Sequence, residues 1–120
     1  MQKLTMKKFV KTNLKDIPLE DAHGGAGKRQ MLVAPEHVTT KHLEAITKGY
    51  LQPGEGYPLH VHEDMDEICI VLRGQGKFAC EDEEFDYQEG DVFSVHAGAE
   101  HTYKAEGDSP TEFYFVRVKV

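Results

Sequence analysis

The chain is poor in cysteine, poor in basic residues and without any long apolar run, and each shortage narrows what it can be. Two cysteines in 120 residues, Cys69 and Cys80, do not make the dense framework that staples small secreted domains. Both sit in apolar, strand-like runs, so they read as two buried thiols in a reducing compartment. Fourteen basic against 21 acidic residues leave a formal charge of −7, the wrong sign for a face that neutralises phosphates, so no nucleic-acid partner is expected. Lys3, Lys7, Lys8 and Lys11 are not followed by an apolar segment of signal-peptide length. No run approaches a membrane span. These shortages predict a soluble, cytoplasmic protein that binds no membrane.

A helical period is almost absent as well. Short apolar runs alternate with turn signals such as Gln52-Pro53-Gly54 and Gln88-Glu89-Gly90-Asp91, the pattern of an all-β sandwich or barrel. A chain of this length is one domain, and it buries roughly two-thirds of the surface its unfolded form exposes. Residues 1–29 read as an arm and glycine-rich connector of that domain, and 30–120 as the barrel. A short strand is expected at Lys8–Thr12 and a helical turn at Asp16–Asp21, capped by Asp16 and ended by Gly24. The stretch His23-Gly24-Gly25-Ala26-Gly27-Lys28-Arg29 is not a phosphate loop, because Ala22 and Arg29 occupy the positions that need Gly and Ser or Thr. It reads as a connector; the lesser reading is a lid with His23 at its tip. In the Lys41–Leu51 strand, Leu43, Ala45 and Thr47 lie opposite His42, Glu44 and Ile46. The closing run Thr111–Val120 puts Tyr114, Val116, Val118 and Val120 on one face.

The informative stretch is Gly54–Gly74, GEGYPLHVHEDMDEICIVLRG. On a strand, His60 and His62 point to one side. Glu67 follows a short acidic connection, which reads as a solvated turn, and opens the run Ile68–Leu72. A hairpin between the two strands would bring the carboxylate back beside both imidazoles. Two imidazoles and one carboxylate on a common face form the triad used by non-haem divalent metals.

The spacing also carries a resemblance. Gly54, five residues, His60-Val61-His62, four residues, Glu67, six residues and Gly74 resemble the first signature of the cupin superfamily. Gly90, five residues, His96-Ala97-Gly98, two residues and His101 resemble the second. The chain departs from it at His96, where proline is usual, and at Ala105, where asparagine is usual; a missing proline leaves a turn less fixed. The resemblance implies a cupin-type jelly-roll barrel in which His60, His62, Glu67 and His101 bind one divalent transition metal. Fe, Mn, Ni, Zn and Cu all suit imidazole and carboxylate. Four protein ligands leave an octahedral ion two positions for a substrate or oxygen.

The cupin resemblance implies an enzyme on a small polar organic molecule, of oxygenase, isomerase, lyase or decarboxylase type. It leaves open a non-catalytic module that binds or senses a sugar or organic acid. Weak catalytic candidates are Tyr103, on the face of His101, Cys69, on the face of Glu67, and His96. Tyr57, Met65, Phe78 and Phe115 are candidates for the mouth or wall. A homodimer is expected, formed by the N-terminal arm and the C-terminal run adding to a neighbour's sheet.

Overall fold

The computed structural model describes residues 8–22 and 26–120. Nine strands account for nearly all its regular structure: β1 (Glu20–Asp21), β2 (Lys28–Val33), β3 (Leu43–Leu51), β4 (Met65–Arg73), β5 (Gln75–Cys80), β6 (Glu83–Tyr87), β7 (Val92–Val95), β8 (His101–Glu106) and β9 (Thr111–Lys119). There is no α-helix among the described residues, only two three-residue 3-10 turns, Leu14–Asp16 and Pro35–His37. No described helix is long and apolar enough to cross a membrane.

The strands form two antiparallel sheets. One runs β1-β2-β3-β9-β4-β7 and the other β6-β5-β8. Alternation fixes which side of each strand is buried. In β3, Ala45, Thr47 and Leu51 are buried while their neighbours are half-exposed, and in β4 the buried set is Glu67, Cys69 and Val71. Phe78 and Tyr103 from the small sheet meet Phe113 and Phe115 from the large one, with Tyr103 and Phe113 centroids 5.3 Å apart. A hydrogen bond of 2.8 Å between the Tyr87 and Thr111 hydroxyls also spans the sheets. This is a jelly-roll barrel. The glycines that flank the sequence signature, Gly54, Gly74 and Gly90, have φ of +88°, +94° and +91°. They reverse the chain where a side chain would be strained. At Gly74 a Cβ would also lie 2.6 Å from Thr111 Cα.

Three expectations are corrected. Lys8–Thr12 is not a strand, and the helical turn lies at Leu14–Asp16, earlier than Asp16–Asp21. The Asn13 side chain accepts from Lys15 N at 3.0 Å and so caps the turn first. Glu20 and Asp21 instead pair with Arg29 and Lys28 as β1, and ion pairs of 2.9 Å and 2.5 Å join the same residues. The Gln30 amide, 6% exposed, donates to Leu14 O and Ile17 O and ties the turn to β2. Finally, the C-terminal run is not free to add to a neighbour: β9 lies between β3 and β4. Its buried side is Thr111, Phe113 and Phe115, in phase with Arg117, and the Tyr114, Val116 and Val118 face is half-exposed. The readings placed on His23 and Gly24 fall outside the described residues.

Candidate metal centre

The His60–His62 segment does not pair with the Glu67 strand as a hairpin would require. It lies against β8, through isolated bridges of Gly56 with Lys104 and His60 with His101. Four residue steps on one side face three on the other, so one residue is extra, as in a bulge. Pro58 lies in that interval and has no N–H to give the ladder. Bulges re-aim side chains, and here His60 is turned toward His101. His60 and His101 exchange backbone hydrogen bonds of 3.1 Å and 2.9 Å. Beyond His60, the carbonyl of His62 accepts from Gly98 N at 2.8 Å, and Asp66 Oδ1 accepts from Ala97 N at 2.9 Å. Asp66 is therefore no free turn residue. It pins the 96–99 turn that lacks the usual proline.

Glu67 reaches the same place from β4, where it lies between Val95 of β7 and Arg117 of β9. One donor atom from each of His60, His62, Glu67 and His101 falls within 4.8 Å of all the others. Glu67 is 1% exposed and His101 0%, while His60 and His62 are half-buried. His101 Nε2 lies 3.0 Å from Glu67 Oε1, His62 Nε2 lies 3.4 Å from Oε2, and Arg117 Nε donates to Oε2 at 3.0 Å.

The tautomers follow from the backbone. Nδ1 of His60 is 2.8 Å from Pro58 O, and Nδ1 of His101 is 3.0 Å from Ala99 O. A carbonyl only accepts, so both Nδ1 atoms carry hydrogen and both Nε2 atoms face the group. Without an ion, His101 has an acceptor beside each nitrogen, Ala99 O at Nδ1 and Glu67 Oε1 at Nε2. Burial, the largest single cause, pushes its pKa down, but the hydrogen bonds to Glu67 and Ala99 O and the Glu67 charge together outweigh it and the pKa is raised. Burial would raise the Glu67 carboxyl too. The His101 hydrogen bond, the His62 imidazole 3.4 Å away and the charge of Arg117 together win, and hold it far below the usual carboxylate range. For His60 burial dominates and lowers the pKa, which favours the neutral ring a metal needs. His62 Nε2 is buried and makes no hydrogen bond, a cost that an ion would remove. The donor set fits a divalent transition ion.

His60, His62 and Glu67 line one wall of a cavity of about 290 Å³, with His101 buried behind them. Tyr57, Met65, Tyr103 and Phe115 line it, as expected for a wall, whereas Phe78 packs in the core. Of the weaker candidates, Tyr103 lines the cavity with a buried hydroxyl that has no hydrogen bond. Burial pushes its pKa well up, so it is a donor and not an anion. Cys69 is 0% exposed and burial pushes its thiol up, which suits a packing residue rather than a nucleophile. His96 is exposed on its turn and does not line the cavity. The sequence reading overlooked Arg117 and Asp66. A signal for Arg117 was present: it alternates with Phe113 and Phe115, so an inward-facing pair of aromatics carries it inward as well.

Comparison with known proteins gives the family. Residues 49–117 match the family model described as Cupin domain. An oxalate-binding protein of Thermotoga maritima is 29% identical over 100 residues, covering 82% of each chain. A transcriptional activator, RhaR, of Pectobacterium carotovorum is 35% identical over 68 residues, 57% of this chain but 23% of the activator. Among solved structures, a predicted oxalate decarboxylase of T. maritima has a TM-score of 0.84 at 24% identity, covering 92% of this chain and 100% of that one. With more than half its length matched to the family and four donors converging inside the barrel, the chain belongs to the cupins.

Proposed function

We propose that the protein holds one divalent transition ion through His60, His62, Glu67 and His101 and is an enzyme acting on a small polar organic molecule, a carboxylic acid first among candidates. The observation that carries this is the convergence of four donors within 4.8 Å, three of which, His60, His62 and Glu67, line a cavity with open volume beside them. A bound ion would supply Lewis-acid polarisation of a substrate oxygen, or an oxygen site if it is iron. The chain's own residues supply the rest. Pro58 O and Ala99 O fix two rings, Tyr103 offers a hydroxyl to the ligand, and Tyr57 and Phe115 exclude water, which strengthens charge interactions at the wall. The test is to load the protein separately with Fe(II), Mn(II), Ni(II), Zn(II) and Cu(II), and to screen oxalate, other small acids, diketones and sugars for turnover. Product formation with at least one ion is expected; none with any ion would remove the catalytic half of the proposal.

A second reading is favoured by the oxalate-binding relative and by the activator RhaR. In it the same centre captures an acid or sugar without changing it, and a stoichiometric complex with unaltered ligand is the outcome expected. We further assign the protein to the cytoplasm, where its free Cys69 and Cys80 would stay reduced. We also propose a homodimer. Its support is the sheet edges β1 and β7, with Leu19 60% and Val92 59% exposed close by. Light scattering at micromolar concentration checks it, and a monomeric mass rejects it.

A further inference from the structure

We infer that Arg117 positions the Glu67 carboxylate for single-oxygen ligation, and in doing so makes the centre selective for anionic ligands. This rests on the metal reading above and adds the class of ligand. Arg117 faces Glu67 directly across the β4–β9 ladder, and its Nε donates to Oε2 at 3.0 Å. That leaves Oε1, the oxygen beside His101 Nε2, as the atom offered to an ion. A carboxylate held this way does not swing to chelate with both oxygens, so positions opposite the protein ligands stay open.

Charge points the same way. The cavity is lined by four ionic side chains besides the imidazoles: Arg29, Glu44, Glu67 and Arg117. Arg29 is paired with Glu20 at 2.9 Å and Glu44 with Lys119 at 3.2 Å. The remaining two cancel each other. With neutral imidazoles, the charge of a divalent ion in this wall would be balanced by nothing in the protein, and a ligand anion would have to balance it. Arg117 is only 17% exposed in its side chain, and its guanidinium sits 5.9 Å from the Phe115 ring. Its only hydrogen bond to protein among the described residues is the one from Nε. The two Nη groups therefore remain as donors at the cavity wall, in the planar fork that matches a carboxylate. The ligand class that fits is a small organic anion with two oxygens able to reach the ion, bordered by an arginine rather than by water.

The experiment is calorimetric titration of Mn(II) into the metal-free full chain, then of oxalate and of its neutral analogue oxamide into the Mn(II)-loaded protein, for wild type, Arg117→Met and Arg117→Lys. Thermal melts report folding. Wild type is expected to take Mn(II) and to prefer oxalate over oxamide. Arg117→Met should weaken Mn(II) by about 10- to 100-fold, as loss of a partner behind a ligand does, and narrow the oxalate preference by ~10-fold or more. Arg117→Lys should lose Mn(II) affinity in the same range while keeping the anion preference, since it retains the charge but not the fork. If wild type takes no Mn(II), the metal reading itself falls. If it takes Mn(II) but shows no preference for the anion, or if both variants match it in Mn(II) affinity, the role given to Arg117 is overturned and the metal reading stands. Should Arg117→Met not fold, Arg117→Lys and the wild-type preference still decide.

Discussion

The four donors arrive by two different routes. Glu67 and His101 stand on regular strands, are fully buried and are hydrogen-bonded to each other at 3.0 Å. His60 and His62 stand on an irregular segment, are half-buried, and His62 Nε2 has no hydrogen bond at all. The first pair is part of the barrel's own stability with or without an ion. The second pair sits on backbone bridged to β8 and the 96–99 turn, with its rings against His101 and Glu67, and an ion would add the partner that His62 Nε2 lacks. One half of the centre is structural and the other half is waiting for a ligand.

Substitutions should separate the halves. Glu67→Ala leaves the half-buried Arg117 guanidinium without its anion and His101 Nε2 without its partner, and breaking such a cluster costs about 3–5 kcal/mol. Melting of the metal-free variant should fall accordingly; an unchanged melt would dissolve the distinction. Metal removal should act on both halves at once. Saturation at a thousand times Kd is worth about 4 kcal/mol, so a chelator should lower the melting temperature while the β signal in circular dichroism persists below it. Collapse of that signal at room temperature would make the ion essential for folding.

His62→Ala gives the sharpest contrast. It removes an orphaned nitrogen, so the metal-free melt should barely move, within about 0.5 kcal/mol, while ion affinity falls by about a hundredfold or more. Equal effects on both would contradict the proposed division. Asp66→Ala should be milder. Freeing the 96–99 turn that clasps His62 should cost roughly tenfold in ion affinity by calorimetry, with a change in melting of about 1 kcal/mol. Thiol labelling has the smallest effect: one equivalent of reagent should modify Cys80 and leave Cys69, whose thiol burial pushes up, unreacted until denaturant is added.

Much of this was legible in the residues. Alternation put Ala45 and Thr47 on one side of the Lys41–Leu51 strand and Cys69 on the side of Glu67, and those are the buried sides of β3 and β4, because period two is written directly in the side chains. The cupin resemblance implied the donor group His60, His62, Glu67 and His101. Pairing was harder to read. A hairpin between the His60 segment and β4 was the simplest closure, but Pro58 cannot feed a ladder, and β9 from the far end of the chain takes that side of β4 instead. Long-range pairing leaves no local signal, so nothing near Glu67 in sequence announces Arg117, 50 residues away. Asp66 was hidden for the opposite reason: in an acidic run, one carboxylate that clasps a distant turn looks like its solvated neighbours. At Ala105 the missing asparagine does no harm to the barrel, since the alanine is fully buried and its backbone bonds to Gly54 and Glu55 at 2.9 Å and 2.8 Å.

The most direct test is anomalous diffraction from crystals of the full chain grown with Mn(II), recorded at the manganese edge. One peak per chain is predicted, at about 2.0–2.3 Å from Nε2 of His60, His62 and His101 and from Glu67 Oε1. A peak elsewhere on the chain, or none with the four side chains turned apart, would contradict the account at its root.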